Sequence, residues 1–350
     1  MTEYREAIVS NPSSVNAHLS FGTALLAEGR YEDAIEQFRS AVDLDRQNVA
    51  AHFDLGSALY QWAEALPARQ LTRKDERRIA AIDAFDQVVK LAPHFGDAYY
   101  NRGLVLRRMG ERDEANAAAD KDFKEAKSQY ELTVRHDPNH PNARRKLGVQ
   151  LYSYSGDHEG GIRKFSDAIK IDDAFTEAYR SRGLAWFYMG KFNNAVPDLK
   201  IVAYRRPDNI YSMLWLYLAE AHRLSDNANA WATAWSDLEQ RARATGVPKR
   251  GWPYAAVELF LDNKTPKETL LKKTLEAAGE NADHQCEAHF YIGEWLQLHK
   301  SDGEAAKEEL MTARESCRME FIEYQGAAAE LERLRTSQNG TRRIDSANDP

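Results

Sequence analysis

Cysteine is almost absent from this 350-residue chain. There are two, Cys286 and Cys317, at the two ends of one segment. They lack CxxC spacing and no histidine is paired with either, which argues against a thiol nucleophile. A basic excess is also missing. Lys and Arg number 47 against 54 Asp and Glu, for a net charge of -7 and a pI near 5.9. Binders of nucleic-acid backbones carry the opposite balance, so nucleic acid is not expected as a partner. No apolar run approaches the length of a membrane span. The opening MTEYREAIVSNP has neither a basic n-region nor an apolar h-region, so as written it carries no secretion signal and reads as cytoplasmic.

Catalytic constellations are missing too. GDHEGG at 156–161 is Gly-rich but falls where a turn between helices is expected. HDPNHPN places His136 and His140 near Asp137, short of the three or four convergent ligands that a metal needs. Asp172 and Asp173 read as a helix end. No catalytic, cofactor or metal residue is assigned.

What the chain has is repetition. "HLSFGTALL", "AHFDLGSALY", "YYNRGLVLRRMG", "RRKLGVQLY" and "YRSRGLAWFYMG" align on their Gly, and each is followed by an Ala-x-x-x-aromatic or aliphatic pattern and an Asp or Pro turn. In 15–48, Leu19, Gly22 and Leu25 lie on a first helix, which Gly29 breaks. Ala34, Phe38 and Ala41 lie on a second. Small residues such as Gly22 and Ala34 mark where the two helices approach closely.

This resembles the tetratricopeptide repeat (TPR), whose period is 34 residues. The resemblance implies an all-α fold, a right-handed superhelical solenoid of antiparallel helix pairs that stack because one pair cannot bury its apolar face alone. The expected organisation is a second helix alone at 1–14, five units over 15–209, aromatic-rich degenerate repeats at 210–280, a further unit at 281–319, a C-terminal capping helix at 320–334 and a disordered tail at 335–350. In the half-unit, Tyr4 stands for Phe38, Ala7 for Ala41 and Pro12 for the terminal Pro. It leaves an apolar groove open. Three readings remain: a homodimer through the N-terminal repeats, an absent upstream segment, or a frayed helix. The units 49–95 and 96–140 carry charged, helix-forming inserts, expected as longer helices projecting beyond the solenoid, with Pro67 breaking the first.

The two cysteines thus sit at the outer ends of one helical hairpin. A Cys286–Cys317 disulfide is geometrically available there, as are two separate buried thiols. A bond would imply an oxidising compartment.

The order "MLWLYLAE", "GWPYAAVELFLDNKTPKETLLKK", "AHFYIGEWLQLHKSDGEAAKEELMTA", "EFIEYQGAAAELERL" over 210–333 is similar to the bacterial NlpI-type TPR lipoproteins. That likeness implies an envelope scaffold that dimerises and presents peptidoglycan hydrolases to a protease. This sequence departs from it in having no lipid-attachment Cys near its start and in its two helical inserts.

In such repeats the first helices line the concave surface. The inward positions of the middle repeats fall on Tyr100, Arg107, Arg145, Tyr152, Arg180 and Phe187, with Asn101, Arg108, Lys146 and Tyr188 beside them. That is a basic and aromatic groove in an acidic protein, suited to a peptide whose carboxylates meet Arg. The other reading is a solvated face with stray arginines. The function expected is a non-catalytic scaffold or adaptor for other proteins. A cytoplasmic TPR regulator is the rival. A TPR-linked glycosyltransferase is disfavoured, because 210–280 is far shorter than a usual domain of ~100–150 residues.

Overall fold

The structure is a computed structural model. It describes residues 2–66, 70–109, 113–224, 228–243, 249–299, 302–318 and 321–345. Helices joined by turns and short irregular segments make up these residues, with no strand among them, and the chain divides into two compact units at 155/156. The boundary falls inside the fourth expected repeat.

Unit 1 holds α1 (Thr2–Ser10), α2 (Val15–Ala27), α3 (Tyr31–Leu44), α4 (Val49–Ala65), α5 (Leu71–Leu91), α6 (Gly96–Arg108), α7 (Asp113–His136) and α8 (Pro141–Val149), which runs on into a π-helical turn, Gln150–Tyr154. Unit 2 holds α9 (His158–Ile171), α10 (Thr176–Tyr188), α11 (Phe192–Arg205), α12 (Ile210–Arg223), α13 (Ala228–Ala242), α14 (Tyr254–Leu261), α15 (Lys267–Ala278), α16 (Ala282–Leu298), α17 (Gly303–Ser316) and α18 (Ile322–Asp345).

Local chemistry sets the helix starts. Ser14, Asn48, Asn209 and Asn281 each accept a hydrogen bond from a backbone N–H in the first turn of the helix that follows. Between helices, Asp45, Asp137 and Asp172 each take the backbone N–H two residues on, closing the turns that the Asp-rich junctions led us to expect. His140 caps α8 through Ala143 N, and Asp157 caps α9 through Gly160 N, so both motifs are used as turns.

Within hairpins, contact partners run in opposite directions along the chain, as antiparallel helices require. Gly96 meets Tyr130 and Gly103 meets Phe123. Gly56 meets Phe85 and Glu64 meets Arg78. The small residue is a steric necessity. A Cβ on Gly56 would lie 2.8 Å from Phe85 Cε1, and one on Gly293 would lie 2.7 Å from Leu310 Cγ. A recurring ion pair stands beside the Gly103–Phe123 contact and beside the equivalent approach of Gly183 to Leu199. Arg102 grips Asp122 with two hydrogen bonds of 2.8 Å and reaches Asp86 at 2.5 Å. Arg182 grips Asp198 at 2.7 and 2.8 Å and reaches Ser166 at 3.0 Å.

The inserts make longer helices, as expected: α5 has 21 residues and α7 has 24, against 14 for α3. Part of the first insert packs, where a projection into solvent was expected. Arg78, 9% exposed, holds buried Glu64 through two hydrogen bonds of 2.9 and 2.7 Å, and Arg77 lies 4.1 Å over the Trp62 ring. Pro67 lies outside the described residues, but α4 has already ended at Ala65.

In unit 2, α12 (IYSMLWLYLAEAHR) is apolar on nearly all sides and is buried on nearly all sides. It sits in the middle of the large core that also takes Phe187, Leu259, Phe260, Phe290 and Tyr291. The α16–α17 hairpin begins at Ala282, within the unit expected over 281–319, so Cys286 is inside α16 and Cys317 caps α17. The two are joined by a disulfide, with Cα atoms 5.0 Å apart. The last helix also differs from expectation. It continues to Asp345 where a disordered tail from 335 was expected, and it packs on α10 as well as on α16 and α17.

Gly56→Val is expected to drive a side chain into Phe85 and lower the urea unfolding midpoint of the chain by an amount equivalent to about 1–3 kcal/mol, read by far-UV circular dichroism. Reduction of the disulfide, which closes a loop of 31 residues, is expected to destabilise unit 2 by about 3–4 kcal/mol on the loop-entropy argument. The measurement is thermal unfolding with and without dithiothreitol, with Cys286→Ala as the control that no longer responds.

Candidate functional site

Two surfaces gather the residues expected on the concave side, one in each unit. In unit 1, α6 and α8 frame a pocket of about 230 Å³ lined by Asp97, Tyr100, Asn101, Arg145, Lys146 and Gln150, with Tyr130 of α7. Four of the expected residues, Tyr100, Asn101, Arg145 and Lys146, meet here. Its polar frame is fixed. Tyr130 donates its hydroxyl to Asp97 Oδ1 at 2.5 Å, and Lys146 pairs with the other oxygen of Asp97. Burial, with Asp97 beside it, pushes the Tyr130 phenol well above its ordinary range, so it remains a donor. Arg145 reaches Asn142 Oδ1 at 3.3 Å.

Three expected residues stand elsewhere in unit 1, one of them Arg108 of α6, which lies 3.5 Å from buried Glu64. Arg107, farther along α6, pairs with Asp120 of α7 and lies over the Phe123 ring. Tyr152 is only 8% exposed, because the π-helical turn carries its ring into the interior. It does not line the groove. Asp97 and Tyr130 escaped the sequence reading. A Tyr on a second helix reads as ordinary packing, and only tertiary contact sets it beside Asp97.

In unit 2 the expected groove face is covered by the chain itself. α18 lies against α10 and α16, and its residues bond to α12 as well. Phe187 is fully buried, so it does not line an open groove. Arg333 of α18 lies 5.6 Å over its ring and donates to the carbonyls of Phe187 at 3.2 Å and Tyr188 at 3.0 Å. Tyr188 donates its hydroxyl to the Ile322 carbonyl at 3.0 Å. Gly326 permits the approach, since a Cβ there would lie 2.7 Å from Phe290 and 2.9 Å from Trp215. Of the expected unit 2 residues only Arg180 stays exposed.

The covering helix buries carboxylates. Glu323 accepts hydrogen bonds from Tyr291 at 3.0 Å and Trp215 at 3.3 Å. Glu330 meets Arg333 and Gln297. His222 approaches Glu294 at 2.7 Å and Glu330 at 3.8 Å, and one ligand atom from each of the three lies within 4.8 Å of the others. His136 and His140, which stand near Asp137 in the sequence, are not among these three. The His and Glu set that tertiary structure does assemble comes from three separated helices. Arg333 pairs with one of its carboxylates and His222 takes one oxygen of the other, while the second oxygen of Glu294 is buried without a hydrogen-bond partner among the described residues.

Beside Glu323 stands Glu287 of α16. Tyr211 and Trp252 both donate to its Oε2, at 2.7 and 2.6 Å. Burial, and secondarily the charge of Glu323, push its carboxyl up to about 8. Burial likewise raises Glu323. With a folded value near 8 and an unfolded one near 4.5, the folded protein binds the extra proton between these pH values. Stability gained from it is complete below about 4.5 and declines as pH climbs to about 8. Glu287→Gln is expected to flatten this part of the profile, measured as the thermal midpoint from pH 5 to pH 8.

Residues 22–61 match a model of the TPR repeat, and residues 74–122 match a model of the tetratricopeptide repeat. Among solved structures, a thermophilic TPR protein of Thermus thermophilus is 17% identical with a TM-score of 0.47, the alignment covering 59% of this chain and 98% of that one. A tetratricopeptide repeat protein from Parabacteroides merdae is 14% identical with a TM-score of 0.46, covering 74% and 88%. PilF of Pseudomonas aeruginosa is 14% identical with a TM-score of 0.43, covering 65% and 90%.

Proposed function

Because the chain is a tetratricopeptide-repeat protein, a class that generally mediates protein–protein contact without catalysis, we propose that it is an adaptor whose unit 1 pocket receives an acidic segment of a partner protein. The observation that carries this reading is the convergence of Tyr100, Asn101, Arg145 and Lys146 around one cavity. The Arg145 guanidinium meets a carboxylate there, with Lys146 held beside it by Asp97, and the Tyr100 ring supplies an apolar wall. Unit 2 offers less, because α18 already covers the corresponding residues.

The likeness of 210–333 to NlpI-type lipoproteins supports an envelope scaffold for hydrolases or proteases as the specific form of this role. The Cys286–Cys317 pairing supports an oxidising compartment. Alkylation trapping of the native protein measures it directly: two free thiols in the cell would turn the reading toward a cytoplasmic regulator.

The pocket is tested by peptide display on the immobilised full chain. Enrichment of Asp- and Glu-containing sequences is expected, with at least about a tenfold loss for Arg145→Glu, about 1.4 kcal/mol, and no change in helix content. Full retention of the selected peptides by that variant would remove the pocket from the binding surface.

A further inference from the structure

Beneath the first turn of α18, unit 2 contains a second cavity, of about 260 Å³, whose walls include Arg180, Tyr211, Trp215, Glu287 and Glu323. It lies just under the size range of sites for drug-sized molecules, with room for a ligand the size of an amino acid. Its chemistry differs from that of the unit 1 pocket. Glu287 is only 6% exposed, yet its hydrogen bonds are one-sided. Oε2 takes both the Tyr211 hydroxyl and the Trp252 indole N–H, while Oε1 has no partner among the described residues. Glu323, 2% exposed, has Tyr291 and Trp215 as donors to Oε1. All four donors are neutral, so they orient the two carboxyl groups without balancing their charge. A buried carboxylate pair is stable only with a proton or a counter-cation.

The opposite sign is also present. Arg180 is exposed on the pocket wall and makes no hydrogen bond or ion pair among the described residues. Its field favours the ionised form of Glu323. Arg206, the other guanidinium on the lining, is already paired with Glu177. The Tyr211 and Trp215 rings complete a wall of the kind on which a cation rests.

We propose that this cavity binds a free, amino-acid-sized zwitterion with an ammonium or guanidinium group, the cation at Glu287 and Glu323 and the ligand carboxylate at Arg180. Phe321, Ile322 and Glu323 form one wall, so an occupied pocket also fastens the head of α18. The groups that face Glu287 are Tyr211 from α12, Glu323 from α18, and Asp283 and Tyr291 from its own helix. Trp252 also donates to it. The guanidinium groups nearby are Arg318, held by Asp283, and Arg180, which acts on Glu323. No basic group bonds to Glu287 among the described residues, so a ligand cation can take the place of its proton. Binding displaces the proton of Glu287, so affinity rises with pH through the range below about 8.

Titration calorimetry and Trp fluorescence of the full chain with L-arginine, L-lysine and agmatine test this. Saturable binding of L-arginine or L-lysine is expected, tightening from pH 6 to pH 8. Glu287→Gln should weaken it at least about tenfold with the helical spectrum intact. Arg180→Ala should weaken L-arginine but leave agmatine, which has no carboxylate, unchanged. Absence of saturation by all three probes overturns the proposal, as does a folded Glu287→Gln variant that binds like the wild type. If the capped peptide acetyl-Gly-Arg-Gly-amide binds more tightly than free L-arginine, the free zwitterion is the wrong ligand. These outcomes are independent of the unit 1 pocket, since Arg145→Glu does not touch this cavity.

Discussion

The close approach of paired helices is the constraint on which the remaining structure rests. Where Gly22, Gly56 or Gly103 stands on a first helix, the ring of Phe38, Phe85 or Phe123 on the second lies so near that even a methyl group would collide with it. A hairpin packed this tightly buries one face and presents another, so the next hairpin has a surface to stack on. The positions of Tyr100 and Arg145 follow from it. They stand on neighbouring first helices, and the spacing of those helices is set by what lies behind them.

Unit 2 meets the same constraint differently. α12 is enclosed on almost every side, and its Trp215 is too large for the inner side of an open repeat. α18 covers it, with Gly326 again supplying the missing side chain at the tightest point. The cover is polar as well as apolar. Glu323 and Glu330 are nearly inaccessible, and their partners come from α12, α16 and α18 itself. Such networks contribute little net stability when complete and cost a great deal when one member is lost. They therefore fix the register of the helix more than the strength of its attachment. Arg333, bonded to two carbonyls at the end of α10, has the same effect.

The electrostatics of the two cavities differ for a local reason. In unit 1, Asp97 is answered by Lys146 within the pocket and Arg145 stands beside them, so the surplus is basic. In unit 2, two carboxyl groups share a buried space whose immediate donors are phenols and indoles. Burial then holds a proton on Glu287 at a pH where an exposed glutamate has lost it. One chain of net charge -7 thus offers a cationic recess and one in which two buried carboxyl groups share a wall with Arg180.

The repeat pattern alone determined that the chain is all-helical, where its hairpins turn, and that Cys286 and Cys317 lie at the ends of one hairpin. Local rules suffice for these: a Gly opposite an aromatic residue, an Asp or Asn at a junction, an apolar stripe at helical spacing. Tyr100, Asn101 and Arg145 were legible because inward positions recur with the repeat. Tyr152 was misplaced because a π-helical turn shifts the phase of the helix, and a 3.6-residue period does not contain that shift. Phe187 was misplaced because its cover comes from α18, well over a hundred residues away, and a periodic pattern carries no signal about such a contact. The pairing of Glu287 with Glu323 and the gathering of His222, Glu294 and Glu330 belong to the tertiary structure for the same reason. Each residue looks like an unremarkable helix surface in its own segment, and only the docking of α18 brings them into one buried space.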